Sequence, residues 1–392
     1  MQSTTSQPKK IILPIIVVAQ FFCTSLWFAG NAIISDLVKQ LHFPSSYLAH
    51  FTSAVQFGFI SGTLVFAVLS ISDRFSPSKI FFSCAVVAAL INLCVSFDGI
   101  TVTQLMSVRF ATGFFLAGIY PVGMKIAADH FQQGLGKSLG FLVGALVLGT
   151  AFPHFLKSIH GVPWHYIVFC TSFLSLIGGF ALFILVPDGP YRTIGQRLSL
   201  SAFVKGFGNK KFRAVAFGYF GHMWELYAFW VFVPAILLAY NNQHSNHAFN
   251  VPLFSFLIIA VGSIACVIGG MISATFGVKK IATLSLGLSC LCCLSSPLFV
   301  LNSSATVFIV FMFIWGMAVI ADSPLFSTLV AQNAVAEYKG SSLTIVNCIG
   351  FAITIISIQL IDVLKTATNV QYIYMLLALG PILGLIALRR SE

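Results

Sequence analysis

The sequence predicts an all-α polytopic membrane protein made of two six-helix bundles related by pseudo-twofold symmetry. Three observations predict it. Of the 392 residues, 58% are hydrophobic and only 8% charged, whereas a soluble domain carries about 25% charged residues. Apolar runs of about 20 residues, the length that crosses a bilayer, recur along the whole chain. A polar stretch over 187–212 divides these runs six and six.

Taken in order, the expected spans lie at about 11–38, 49–71, 79–97, 103–128, 138–159 and 164–186, then 213–240, 250–275, 280–300, 305–331, 340–364 and 370–388. The first run is too long for a signal h-region and has no small-residue cleavage site, so it is read as a retained helix. Short loops elsewhere force neighbouring helices to be antiparallel. The expected organisation is a bundle over 1–186, a basic linker over 187–212 and a second bundle over 213–392. The linker opens with Pro187-Asp188-Gly189-Pro190, which stops a helix. Leu200, Phe203, Val204 and Phe207 then recur at amphipathic spacing beside Lys205 and Lys210, as in a helix lying on a membrane surface; a solvated linker is the alternative.

The net charge is +11, but its placement argues against nucleic acid. Counted by alternate loops, sixteen of the 21 Lys and Arg residues fall on one side and three, Lys39, Lys157 and Lys365, on the other; Arg109 and Lys125 lie within spans. This is the positive-inside bias and puts both termini in the cytoplasm, in a bacterial inner membrane or a plasma membrane. The nine cysteines sit inside apolar runs and read as small packing residues. No cofactor and no metal is expected. Gly136-Lys137-Ser138 lacks the first glycine of a phosphate loop, Phe131 standing in its place.

The halves repeat one another. Ile71–Ile80 aligns without gaps on Ile272–Ile281, with five of ten positions identical at an offset of 201. Gly113–Pro121 matches Gly316–Pro324, and Leu26-Trp27 matches Phe229-Trp230, both at an offset of 203. Duplicated bundles are a transporter architecture, with the solute held between them near the midplane.

Polar stripes pick out four spans. Gln20, Thr24, Trp27 and Asn31 share one face of the first; Arg109, Gly113, Leu116 and Tyr120 repeat that spacing on the fourth. His222, Glu225 and Phe229 align on the seventh, and Trp315 and Asp322 on the tenth. An acidic side chain at membrane depth is disfavoured by about 2.5–3.5 kcal/mol on insertion scales. Glu225 and Asp322 are therefore the candidate proton carriers; the alternative is a fixed ion pair with Arg109 or His222. Arg109 suits a carboxylate or phosphate, or tunes a nearby carboxyl. His154 follows Pro153 in the fifth span. Trp27, Trp224, Tyr227, Trp230 and Trp315 can stack on a ring, although among 40 Phe residues packing is the ordinary role of an aromatic. The expectation is that Glu225, Arg109 and Asp322 look onto one polar chamber shared by the halves.

Along its full length the chain resembles the major facilitator superfamily. Asp73, Arg74 and Lys79 match that family's signature between helices two and three, D-R-x-G-R-x-R/K, while Ser76 and Pro77 replace its Gly and inner Arg. Arg109 with Gly113 resembles the helix-four motif, whose Arg the family associates with proton coupling. The resemblance implies a central cavity lined by helices one, four, seven and ten, the four that carry the stripes. It also implies a gate at Asp73, Arg74 and Lys79, with Asp73 touching the start of helix eleven near Gly340.

The resulting expectation is a secondary transporter, not an enzyme, that moves a small solute by alternating access. The solute is an organic anion, a polar metabolite or a metal chelate, and proton-coupled import is favoured. A proton-driven exporter of amphiphilic compounds is the alternative, with a non-transporting receptor or membrane enzyme behind it. Coupling is assigned to Glu225, Asp322 and Arg109. Solute contact is assigned to Gln20, Trp27, Asn31, Tyr120, His154, His222, Trp224, Tyr227, Trp230 and Trp315. The expected partners are the solute, protons and the lipid bilayer, with the protein monomeric and no nucleic acid bound.

Overall fold

The computed structural model describes residues 11–41, 47–97, 99–131, 135–192, 206–244, 248–300, 302–335, 339–367 and 370–390. Twelve apolar helices follow one another. They are α1 (Ile12–Gln40), α2 (Tyr47–Val68), α3 (Pro77–Ser96), α4 (Val102–His130), α5 (Gly136–Ser158) and α6 (Trp164–Leu185) in the first bundle. The second bundle holds α7 (Lys210–Gln243), α8 (Val251–Phe276), α9 (Val278–Phe299), α10 (Ala305–Asn333), α11 (Lys339–Lys365) and α12 (Tyr374–Arg389). The first eleven are long and apolar enough to cross a membrane; α12 is shorter and begins as a 3-10 turn over Tyr374–Ala378. Large apolar side chains such as Phe173, Ile184, Leu291 and Leu298 are exposed around the outside, as a hydrocarbon solvent allows.

Three helices are broken at mid-depth, and local chemistry explains each break. In α1 the helix Ile12–Thr24 stops and resumes at Ala29–Leu41. No proline is present there. Instead the Thr24 hydroxyl bonds back to the Gln20 carbonyl at 2.7 Å and that of Ser25 to Phe22 at 2.7 Å, a competition with the helix ladder that bends it. In α4 and α10 the breaks fall just before Pro121 and Pro324, between Leu116 and Tyr120 and at Asp322. Proline has no N–H to donate and its ring crowds the preceding turn. These two prolines are partners in the 203-residue repeat, so the duplicated halves break the same helix at the same place. Helix α7 runs unbroken over 34 residues despite Pro234.

Within each bundle, glycines let backbones touch. A side chain at Gly113 of α4 would strike the Val55 carbonyl of α2, and one at Gly316 of α10 would strike the Ile258 carbonyl of α8. Gly58 and Gly62 face the backbone of α4 in the same way. The bundles meet along two helix pairs. Helices α5 and α8 approach through Gly140 and Gly144, where added β-carbons would sit 3.2 Å and 3.1 Å from the Cys266 and Ser263 carbonyls. Helices α2 and α11 are joined by Thr354 to Gln56 at 2.7 Å and Gln359 to Ser53 at 2.8 Å.

Of the linker, residues 193–205 lie outside the described residues, and with them Leu200, Phe203 and Val204 of the expected amphipathic helix. Its opening segment is docked on the first bundle. Arg192 bonds Asp188 at 2.9 Å and the Phe75 carbonyl at 2.8 Å, and the Ser76 hydroxyl donates to Asp188 at 2.6 Å.

Candidate transport site

Between the halves, at the depth of the breaks, lies a cluster of aromatic rings. Trp27 from the α1 break stacks on Tyr227 of α7 at 5.9 Å and on Phe351 of α11 at 5.7 Å, and packs against Phe59 of α2 at 4.8 Å. Phe28 meets Trp230 edge-on at 6.2 Å. Every one of these rings is buried. The indole N–H groups of Trp27 and Trp230 have no partner among the described protein groups, and the same is true of both amide atoms of Gln20, Nε2 of Gln56 and Nε2 of His154. Leaving a buried donor unmade costs about 1–3 kcal/mol. Such groups call for a further polar partner.

The three charged candidates do not share a chamber, which corrects the sequence expectation. Arg109 is 1% exposed and turned into the first bundle. One terminal nitrogen donates to the Trp27 carbonyl at 2.6 Å; both donate to the Leu26 carbonyl at 3.3 Å, and Asn92 accepts from the other at 3.3 Å. Glu225 is enclosed in the second bundle between α7, α9 and α10. Its Oε1 accepts from the Trp315 indole at 2.7 Å and the Cys293 thiol at 3.1 Å, and its Oε2 from the Ser289 hydroxyl at 2.8 Å. Asp322, fully buried, faces His222 with Oδ1 2.8 Å from Nδ1. That contact is at ion-pair distance but off hydrogen-bond alignment, so neither Asp322 oxygen has an aligned donor. The reason for the separation is physical: a charge at membrane depth is held only where nearby polar groups satisfy it, and aromatic rings fill the space between the halves.

Other expected residues divide likewise. Tyr120 is buried on α4. Asn31 donates to Thr52 at 2.8 Å inside the first bundle. Trp224 faces α12, its indole bonded to the Leu376 carbonyl at 3.0 Å, and Trp315 serves the Glu225 cage. His222 is committed to Asp322. Trp27, Tyr227 and Trp230 are thus the expected residues that meet across the halves.

The gate expectation also changes. Asp73 pairs with Lys125 of α4 within the first bundle, and among the described residues none packs within 4 Å of a β-carbon added at Gly340. Arg74 and Lys79 are exposed. Lys125, which lies within the fourth span, is the residue that holds the motif aspartate.

Sequence reasoning missed Phe28, Phe59 and Phe351, which nothing distinguishes among 40 Phe residues. It also missed Ser289 and Cys293. Their spacing on α9 places both toward one face, and a thiol and hydroxyl aligned that way are a readable if weak sign of a buried acceptor. Asn92 was missed because its partners come from α4 and α6, far away in sequence.

Two six-helix bundles meeting at broken helices define a membrane transporter. The model of the Major Facilitator Superfamily matches residues 16–358, and the chain belongs to that family; it is a multi-pass transporter and not an enzyme. Comparison with curated proteins gave no match. Among solved structures, the chain is similar to a mutant of the nucleoside transporter NupG, with 14% identity and a TM-score of 0.72 over 97% of this chain and 99% of that one. It is likewise similar to the human organic anion transporter MFSD10 (TETRAN), with 11% identity and a TM-score of 0.73 over 98% of this chain and 100% of that one. At these identities the likeness shows the fold alone.

Proposed function

We propose that the protein is a proton-coupled importer of a small polar metabolite bearing a flat ring, held between the two bundles and carried by alternating access. The observation that carries this reading is the two-sidedness of α7. Glu225 points to the cage on α9 and α10, while Tyr227 and Trp230, about 200° and 140° around the helix from it, join the rings facing the first bundle. A proton gained or lost on one face therefore acts on the helix that holds the solute on the other.

The cage can hold a proton without falling apart. The Ser289 hydroxyl lies 2.8 Å from Glu225 and 3.2 Å from the Leu286 carbonyl. A hydroxyl both donates and accepts, so a protonated Glu225 donates to Ser289, whose own proton turns to Leu286. His222, which faces Asp322 of α10 at 2.8 Å, lies three residues and so nearly one turn from Glu225 along α7. It supplies the next station toward the side that carries both termini.

Stacking rings with unpaired indole N–H groups suit a planar solute that carries acceptors. At this depth the described interface presents no Lys or Arg side chain, because Arg109 is bonded inward. This favours a polar metabolite over an organic anion or a metal chelate. The excess of Lys and Arg on alternate loops supports a reading with both termini in the cytoplasm, of an inner or plasma membrane, and the proposal takes the chain as a monomer. The test is uptake of a panel of polar ring compounds into proteoliposomes, with and without an inward proton gradient. Glu225→Gln is expected to keep solute exchange between the two faces and to lose gradient-driven accumulation. Undiminished accumulation by that variant would remove Glu225 from the coupling.

A further inference from the structure

We propose that Arg109 is a positioning residue: a fixed internal cation that holds the break in α1 and so sets the orientation of Trp27. The inference goes beyond the transport reading, because it holds whichever solute is carried and whichever ion drives it.

Four observations carry it. First, all the groups that accept from the guanidinium are neutral: the carbonyls of Leu26 and Trp27 and the side chain of Asn92. Among the described residues no carboxylate pairs with it. Second, those two carbonyls belong to the broken stretch, where bonds span three residues instead of four: Leu26 N–H to Cys23 at 3.4 Å and Trp27 N–H to Thr24 at 3.0 Å. The break frees carbonyls, and a planar group with several donors can reach both at once. Third, the site lies at the C-terminal end of the helix Ile12–Thr24, the negative end of its dipole, which favours a cation. Transporters with broken helices use freed carbonyls and half-helix ends of this kind to coordinate a coupling ion; here a side chain already occupies that position. Fourth, the surroundings are shaped for it. Asn92 is itself fixed by Ser172 at 3.0 Å. Gly30 lies so close that a β-carbon there would stand 3.0 Å from Nε and 3.3 Å from Cζ.

The consequence falls on Trp27. Its carbonyl takes the shortest of the Arg109 bonds, 2.6 Å, and its ring touches Phe59, Tyr227 and Phe351. Fixing the backbone at Trp27 fixes the ring that the first bundle presents to the second.

Full-length protein labelled with 5-fluorotryptophan carries five fluorine probes, one per Trp, with the Trp27 resonance assigned by Trp27→Phe. Arg109→Ala is expected to shift the Trp27 resonance while Trp164, Trp224 and Trp315 stay in place, and Arg109→Lys to shift it less. Adding guanidinium chloride to the Arg109→Ala protein is expected to return the resonance, whereas the same concentration of potassium chloride leaves it displaced. A Trp27 resonance unmoved in Arg109→Ala, or a return with both salts or with neither, would overturn the proposal. Should Arg109→Ala fail to fold, Gly30→Ala carries the test, since it keeps the charge and presses the guanidinium aside. A shift at Trp27 is then expected, and an unchanged one overturns the assignment.

Discussion

The two bundles share a frame and differ in their charges. At the 203-residue offset Trp27 faces Trp230, and the prolines that break α4 and α10 coincide. Yet Arg109 of the first bundle corresponds to Met312 of the second, while Glu225, His222 and Asp322 of the second correspond to Phe22, Ala19 and Ile119 of the first. The first bundle holds a permanent cation among neutral acceptors, bound to backbone. The second holds two carboxyls and a histidine, with side chains as their neighbours. Duplication kept the backbone geometry, because glycine contacts and prolines impose it, and left the polar positions free to diverge. The mid-depth cation of one half is bonded to backbone, and the carboxyls of the other are partnered by side chains.

Four tests sharpen or break this comparison. The largest effect is expected from His222→Ala, which removes the ring nitrogen 2.8 Å from the fully buried Asp322. Breaking a buried pair costs about 3–5 kcal/mol, read as a fall in thermal unfolding temperature in detergent. The double variant His222→Ala with Asp322→Asn should recover most of that loss. If the single variant is as stable as wild type, the pair does not hold charge in the second bundle.

Next come Gly113→Ala and Gly316→Ala. Each pushes a methyl group into a carbonyl of the neighbouring helix, and overpacking of this kind costs about 1–3 kcal/mol. Because the two positions are repeat partners, the losses should match. A loss in one bundle alone would show that the shared frame is not equally tight in both.

Smaller still is Cys293→Ala, which removes one of three donors to Glu225 and should cost about 1 kcal/mol, with Cys293→Ser close to wild type. Equal stability of the Ala and Ser variants would mean that the thiol only packs. The smallest effect is expected from Lys125→Ala. Its partner Asp73 and its own side chain are 17% and 22% exposed, and pairs in contact with solvent contribute about 0–1 kcal/mol. A loss well above that would make the first bundle's end as dependent on charge as the second bundle's interior.

The sequence by itself determined the membrane class, the twelve helices, their division and the repeat. Those follow from hydropathy and length, since a bilayer demands uninterrupted apolar helices whose backbone bonds close within themselves. It also singled out Glu225, Arg109 and Asp322, because ionisable groups are rare at membrane depth. The breaks were not read from it, since Pro153, Pro234 and Pro297 sit in unbroken helices just as Pro121 and Pro324 sit at broken ones. Only the tertiary structure decided what each charged group faces. Helical spacing places Arg109 and Glu225 on stripes but does not say whether a stripe turns toward the other bundle or toward its own. That choice is made by Asn92, Ser289, Cys293 and Trp315, donors and acceptors from helices distant in sequence, because a charge removed from water settles where its bonds are completed.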